Sequence, residues 1–85
     1  MVEFEYVIKD QVGIHARPAG LLVKEAKGYN SKVTLNANGK SADATKLMAI
    51  MAMAIKCGQT VKVTVDGGDE AKNAEALKKF FEANL

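Results

Sequence analysis

Apolar and polar residues alternate in three stretches of the chain, which is typical of β-strands that bury one face and expose the other. The stretches are residues 2–8, with Val7 as the exception, residues 33–37 and residues 60–65. Asn38-Gly39 favours a tight type I′ hairpin turn, which predicts a short return strand over residues 40–43. No strand is a continuous apolar run, so we expect an antiparallel sheet that is covered on one face only.

Apolar residues at helical spacing predict three helices between these strands. The first runs from about Ala16 to Lys27 and ends at Gly28, and the second covers residues 47–55. The third begins after Gly67-Gly68, with Asp69 as N-cap and Glu70 in its first turn. Its side chains directed at the sheet are Ala74, Leu77, Phe80 and Phe81. The order βαββαβα predicts an α+β fold, an open-faced two-layer β-sandwich with a four-stranded antiparallel sheet and three helices on one face.

The second helix is unusual because it has no polar face. A helix that is apolar all round must be buried on every side, and a two-layer domain of this size offers no such place. We expect Ile50, Met53 and Ile55 to serve the core. Leu47, Met48 and Met51 then remain available outside, where flexible thioethers suit a surface that binds several partners. Complete burial of all six in the core of a small protein is the alternative.

Composition and charge narrow the class of protein. The chain has 85 residues and no linker or repeat, which predicts one domain over residues 1–85. A net charge of +2 gives no reason to expect nucleic-acid binding. No apolar run approaches the roughly 20 residues of a membrane span, and no signal peptide is apparent, so we expect a soluble cytoplasmic protein. One cysteine, Cys57, and one histidine leave no metal site or internal disulfide to expect.

The segment from Gly13 to Gly20 holds the only histidine, arginine and proline of the chain. His15 precedes a predicted helix start, where free amides and the helix dipole favour an anion and the neutral form of the imidazole. Arg17 offers a planar fork of donors that fits a phosphate, and Pro18 suits the first helical turn. The amides of Ala16 and Arg17, with the guanidinium, could therefore hold a phosphoryl group on His15.

The chain shows no way to take that phosphoryl group from a nucleotide. It has no P-loop, no glycine-rich nucleotide fingerprint and no evident pair of carboxylates for magnesium. We therefore expect another protein to supply the phosphoryl group, and we expect no cofactor.

The segment from Gly13 to Ala19, with Asn38-Gly39-Lys40-Ser41 and Leu47-Met48 downstream, closely resembles the histidine-containing phosphocarrier (HPr) family of the bacterial sugar phosphotransferase system. The resemblance covers essentially the whole chain. It implies that His15 accepts a phosphoryl group on Nδ1 from phospho-enzyme I and passes it to enzyme IIA domains of sugar transporters. It also implies that the chain is a substrate of its partners rather than an enzyme, and we expect a monomer.

The same resemblance implies that partners dock on the first two helices. The residues expected to meet them are Ile14, Gly20, Lys24, Lys27, Leu47, Met48 and Met51. Many family members have a serine at position 46 that an ATP-dependent kinase phosphorylates, whereas this chain has Lys46. We therefore expect no regulatory phosphorylation there, and we expect Thr45 or Asp43 to cap the second helix instead.

Two other functions remain open at this point. A regulatory module could use His15 to signal its phosphorylation state by binding, without serving sugar uptake. A small nucleic-acid-binding domain could use the open face of the sheet. That face carries Glu3, Glu5, Lys9, Lys32, Thr34 and Thr60 and lacks a basic aromatic platform, which argues against it.

Overall fold

The computed structural model describes all 85 residues and confirms the predicted order of elements. The strands are β1 (Val2–Val7), β2 (Lys32–Ala37), β3 (Lys40–Asp43) and β4 (Thr60–Asp66). The helices are α1 (Ala16–Lys27), α2 (Leu47–Ala52) and α3 (Glu70–Asn84). The four strands form one antiparallel sheet in the order β1-β4-β2-β3.

The hydrophobic core lies between the sheet and the helices, as the alternation in the strands predicts. Val61, Val63 and Val65 of the central strand β4 are completely buried. Phe81 of α3 packs edge-on against Phe4 and Tyr6 of β1, with ring centroids 5.9 and 5.5 Å apart. The opposite face of the sheet is open and polar. It carries the ion pair between Lys62 Nζ and Glu3 Oε2 at 2.7 Å.

The hairpin between β2 and β3 turns as the sequence predicts. Asn38 and Gly39 have φ values of +55° and +72°, and positive φ at both central residues is the requirement of a type I′ turn. Asn38 Nδ2 also donates to the carbonyl oxygen of Met53 at 3.2 Å. The turn therefore contacts the segment that follows α2.

Helix α2 is shorter than predicted, since it ends at Ala52 rather than residue 55. Met53 is the C-cap, and Ala54 adopts a left-handed conformation with φ of +52°, which takes the chain off the helix axis. The apolar spacing gave no sign of this ending because the buried Met53 and Ile55 continue it. The predicted division of side chains is nevertheless confirmed. Ile50, Met53 and Ile55 are buried, and Leu47, Met48 and Met51 are exposed.

The ends of the helices differ from expectation in their details. Lys46 is the N-cap of α2 and makes no capping hydrogen bond, so the expectation that Thr45 or Asp43 would cap this helix is wrong. Asp43 Oδ1 instead accepts from Thr45 N at 2.8 Å and from Thr45 Oγ1 at 2.6 Å, in the turn before the helix. These two hydrogen bonds lower the pKa of Asp43.

Gly28 and Asp69 lie at the predicted helix ends, but neither has the conformation or the hydrogen bond that is typical of its capping role. Gly28 ends α1 with φ of −80°, a right-handed conformation that other residues also adopt. Asp69 is the N-cap of α3, but its side chain makes no capping hydrogen bond. The carboxylate of Glu70 instead accepts from Gly67 N at 2.8 Å.

Candidate functional site

His15 is the N-cap of α1, as predicted. Its backbone is extended, with φ of −109° and ψ of −176°, and its carbonyl oxygen accepts from Ala19 N at 2.9 Å. The side chain is half-buried and makes no capping hydrogen bond. The backbone of His15 therefore takes part in the helix start, while its imidazole makes no hydrogen bond that caps the helix.

The loop before His15 is fixed against the segment after α2. Ile14 N donates to the carbonyl oxygen of Ile55 at 3.0 Å. Gly13 has φ of +80°, and a Cβ there would collide with the carbonyl oxygen of Ile55 and lie 2.7 Å from Lys56 Cα. Only glycine allows this approach. These contacts fix the position of the backbone just before His15.

Ile14 lies elsewhere than expected. Its side chain is 6% exposed and belongs to the core cluster, so it cannot form part of a surface for partners. Its backbone and side chain both point to anchoring: the amide pairs with Ile55 and the apolar side chain is withdrawn from water. Ile14 is therefore a support of the His15 loop.

The start of α1 offers donors to an anion. By helix geometry the amides of Ala16 and Arg17 have no partner within the helix, and the first turn contains no acidic residue. Pro18 and Ala19 are buried and fix this turn to the core, while Arg17 is exposed. The guanidinium can therefore move toward a group on His15 while the helix start stays in place.

His15 and Arg17 line the same shallow cavity of about 360 Å³. The other lining residues are Asp10, Pro18, Leu21 and Asn84. Sequence reasoning missed Asp10, Leu21 and Asn84. An acidic residue in the short loop between β1 and α1 could have suggested Asp10. Asn84 reaches the site only because α3 brings the far end of the chain back to it, and no local pattern signals that.

The predicted partner surface is exposed apart from Ile14. Met48 is 79% exposed, and Leu47 and Met51 are 39% and 37% exposed on the neighbouring turns of α2. Lys24 and Lys27 are exposed in the last turn of α1. Helix α1 as a whole packs against α2. Gly20 is half-buried, and an added Cβ would meet no atom within 4 Å. Leu21, 46% exposed, adds an apolar side chain beside the His15 cavity.

Other kinds of site are poorly supported. No group of three or more His, Cys, Asp or Glu side chains comes together in an arrangement that could hold a metal ion. None of the helices has both the length and the apolar character needed to cross a membrane. Cys57 is exposed, with its sulfur 3.8 Å from the carbonyl oxygen of Lys9.

The open-faced α+β sandwich places a single histidine at a helix start, in one cavity with an arginine, and this arrangement fits the class of small phosphocarrier domains. The family model described as the PTS HPr component phosphorylation site matches residues 2–83. The chain belongs to this HPr family of phosphocarrier proteins. Its members carry phosphoryl groups for the phosphotransferase system and are not enzymes in the ordinary sense.

Individual relatives agree with this assignment. The phosphocarrier protein HPr of Mycoplasma capricolum is 42% identical over 79 residues, covering 93% of this chain and 89% of that protein. The structure of HPr from Thermoanaerobacter tengcongensis matches with a TM-score of 0.92 at 33% identity, covering 99% of this chain and 94% of that one.

A third relative bears on the oligomeric state. Crh, a catabolite repression protein of Bacillus subtilis, matches with a TM-score of 0.76 at 32% identity and covers 100% of this chain and 98% of that one. That protein is described as a domain-swapped, intertwined dimer. A monomeric state of the present chain stays a prediction.

Proposed function

We propose that this chain accepts a phosphoryl group on His15 from phospho-enzyme I and passes it to enzyme IIA domains of sugar transporters. The observation that carries the proposal is the position of His15: an imidazole without a capping role, in one cavity with Arg17, at a helix start with unpaired amides. Membership of the HPr family supports the same chemistry.

The chemical step needs no separate base. The lone pair of Nδ1 of the neutral imidazole attacks phosphorus, the bond between phosphorus and the donor breaks, and its electron pair leaves with the donor. The proton on Nε2 stays where it is. The amides of Ala16 and Arg17 and the guanidinium of Arg17 then stabilise the negative charge of the phosphoryl oxygens. The reverse of this step passes the group to the acceptor.

Partners would dock over α1 and α2. The exposed Leu47, Met48 and Met51 give an apolar centre, and Lys24 and Lys27 on α1 attract acidic side chains. A surface with a flexible apolar centre and lysines beside it suits a carrier, because the same surface must fit a donor and several acceptors in turn.

Position 46 gives no second phosphorylation site in this proposal. Lys46 has no hydroxyl, and the neighbouring hydroxyl of Thr45 donates to Asp43 Oδ1 at 2.6 Å. A structural bond of this kind supports a turn rather than a target for a kinase. His15 is then the single phosphorylation site of the chain.

The test is incubation with phosphoenolpyruvate and a bacterial enzyme I, followed by intact mass measurement. We expect one acid-labile phosphoryl group on the wild-type chain and none on His15→Ala. A wild-type chain that stays unmodified, or a His15→Ala chain that is modified equally, contradicts the proposal. Addition of an enzyme IIA domain then separates carrier from regulatory module, since only a carrier loses its phosphoryl group to that domain.

A further inference from the structure

The cavity of His15 holds an acidic residue that the carrier chemistry does not require. Asp10 lines it together with His15 and Arg17. A phosphoryl group on His15 is a dianion when fully ionised, and a carboxylate at the same cavity repels it. The negative charge of Asp10 therefore disfavours a phosphoryl group on His15.

Asp10 is fixed in place. Gly13 N donates to its carbonyl oxygen at 2.9 Å, and its own amide donates to the main-chain oxygen of Leu85 at 2.8 Å. The side chain is held as well, because Val12 N donates to Oδ1 at 2.9 Å. A side chain that accepts from the amide two residues on forms an Asx turn, which limits its rotation.

The charge of Asp10 is also not cancelled by an ion pair. The ion pairs of the structure do not include Asp10. They join Glu70 to the N-terminal ammonium of Met1, Glu3 to Lys62, and Glu75 to Lys79. Arg17 is therefore available to the phosphoryl group, but its single positive charge is opposed by the single negative charge of Asp10 at the same cavity. The dianion receives less net stabilisation than Arg17 alone would give it.

We infer that Asp10 raises the phosphoryl-transfer potential of this chain by destabilising the phosphorylated form of His15. The inference rests on the proposed carrier function and deepens it. A carrier must release its phosphoryl group as readily as it accepts it. Asp10 shifts the equilibrium toward release without touching the bond that breaks, while Arg17 and the helix amides orient the group.

The test is a competition for phosphoryl groups at equilibrium. Wild-type chain labelled with ¹⁵N and unlabelled Asp10→Asn are mixed in equal amounts with catalytic enzyme I and limiting phosphoenolpyruvate, and the phosphorylated fraction of each is read from its intact mass. Asparagine keeps the oxygen that accepts from Val12 N and removes the charge. We expect the equilibrium to favour phosphorylated Asp10→Asn by about three- to tenfold, because the substitution removes one repulsive charge from a partly solvated cavity that Asp10 and His15 both line.

A matched control removes a carboxylate elsewhere. Asp66 is exposed at the end of β4, where the sheet pairs it with Lys32 away from the His15 loop. Asp66→Asn makes the same change in net charge, and we expect it to share phosphoryl groups equally with the wild type. If Asp10→Asn does not fold, as judged by its thermal melt, Asp10→Ser takes its place, because a serine hydroxyl can also accept in this turn.

The outcomes separate the two ideas. Equal sharing between wild type and Asp10→Asn, or sharing that favours the wild type, overturns the role of Asp10 and leaves the carrier function intact. Equal preferences for Asp10→Asn and Asp66→Asn also overturn it, since net charge would then explain the shift. Failure of enzyme I to phosphorylate any of these chains contradicts the proposed function itself.

Discussion

At the scale of single residues, the proposed function gives His15 and Arg17 different roles. His15 is fixed by its place at the helix start, whereas Arg17 is exposed and reaches the cavity with a flexible side chain. A residue of this second kind contributes through the geometry of its donors more than through its place in the fold. Its role can therefore be tested with little disturbance of the core.

Arg17→Lys should slow phosphoryl transfer while leaving the fold intact. The substitution keeps the charge but loses the planar fork, and lost charge-assisted hydrogen bonds of this kind lower kcat/KM by about tenfold. The free energy of unfolding should change by less than about 0.5 kcal/mol, since the side chain is exposed. Transfer from enzyme I is measured by rapid quench, with Lys72→Ala as a control, because Lys72 is exposed on α3 and outside the proposed docking surface. Equal rates for Arg17→Lys and the wild type would argue against a bidentate contact.

The residues also show how far the sequence informs the site. The sequence alone identifies His15, Arg17 and Pro18 as candidate site residues, because a unique histidine before a predicted helix start is a local feature. It does not identify Asp10 and Asn84, since their place in the cavity depends on how β1 and α3 end beside α1. Ile14 shows the reverse error. It lies next to the candidate residue His15, but its backbone hydrogen bond to Ile55 and its burial identify it as a support of the loop.

At the scale of elements, the alternation in the strands and the Asn38-Gly39 turn suffice to predict the four strands, because both are local features of the sequence. The end of α2 could not be predicted. The apolar spacing continues through residue 55, while the chain leaves the helix at Ala54 with φ of +52°. Asn38 Nδ2 binds the carbonyl oxygen of Met53, a contact between distant segments that no sequence period reveals.

Ala54→Gly should stabilise the protein. A left-handed conformation costs an alanine about 1–2 kcal/mol, and part of this gain is offset by the greater freedom of glycine in the unfolded chain. We expect a net gain of about 0.5–1 kcal/mol in the free energy of unfolding, measured by urea denaturation at unchanged m-value.

The control for this change is Ala52→Gly, two residues earlier. Ala52 is also exposed but is the last residue of the right-handed helix α2. Glycine there should destabilise the protein by up to about 1 kcal/mol. Opposite signs at the two alanines would establish the strain at position 54. A loss of stability in both variants would show that the left-handed alanine is not strained.

At the scale of the whole molecule, the two faces have different characters. One face of the sheet is polar and carries the Glu3–Lys62 ion pair, while the helix side presents exposed apolar residues of α2 next to the lysines of α1. A small domain buries a smaller share of its surface than a large one and has few apolar residues to spare from its core. An apolar helix face left in water therefore supports the proposed docking surface. In the proposed function, phosphoryl transfer depends on that contact.

Met48→Ala should impair transfer through binding alone. The side chain is 79% exposed, so its truncation should leave the free energy of unfolding nearly unchanged. If Met48 lies at the centre of the interface with enzyme I, we expect KM to rise by about five- to tenfold at nearly constant kcat. Val7→Ala is the matched control, because Val7 is 49% exposed in β1 and, although apolar, occupies a position on the open face of the sheet. A rise in KM for Val7→Ala but not for Met48→Ala would place the docking surface on the sheet instead of on α2.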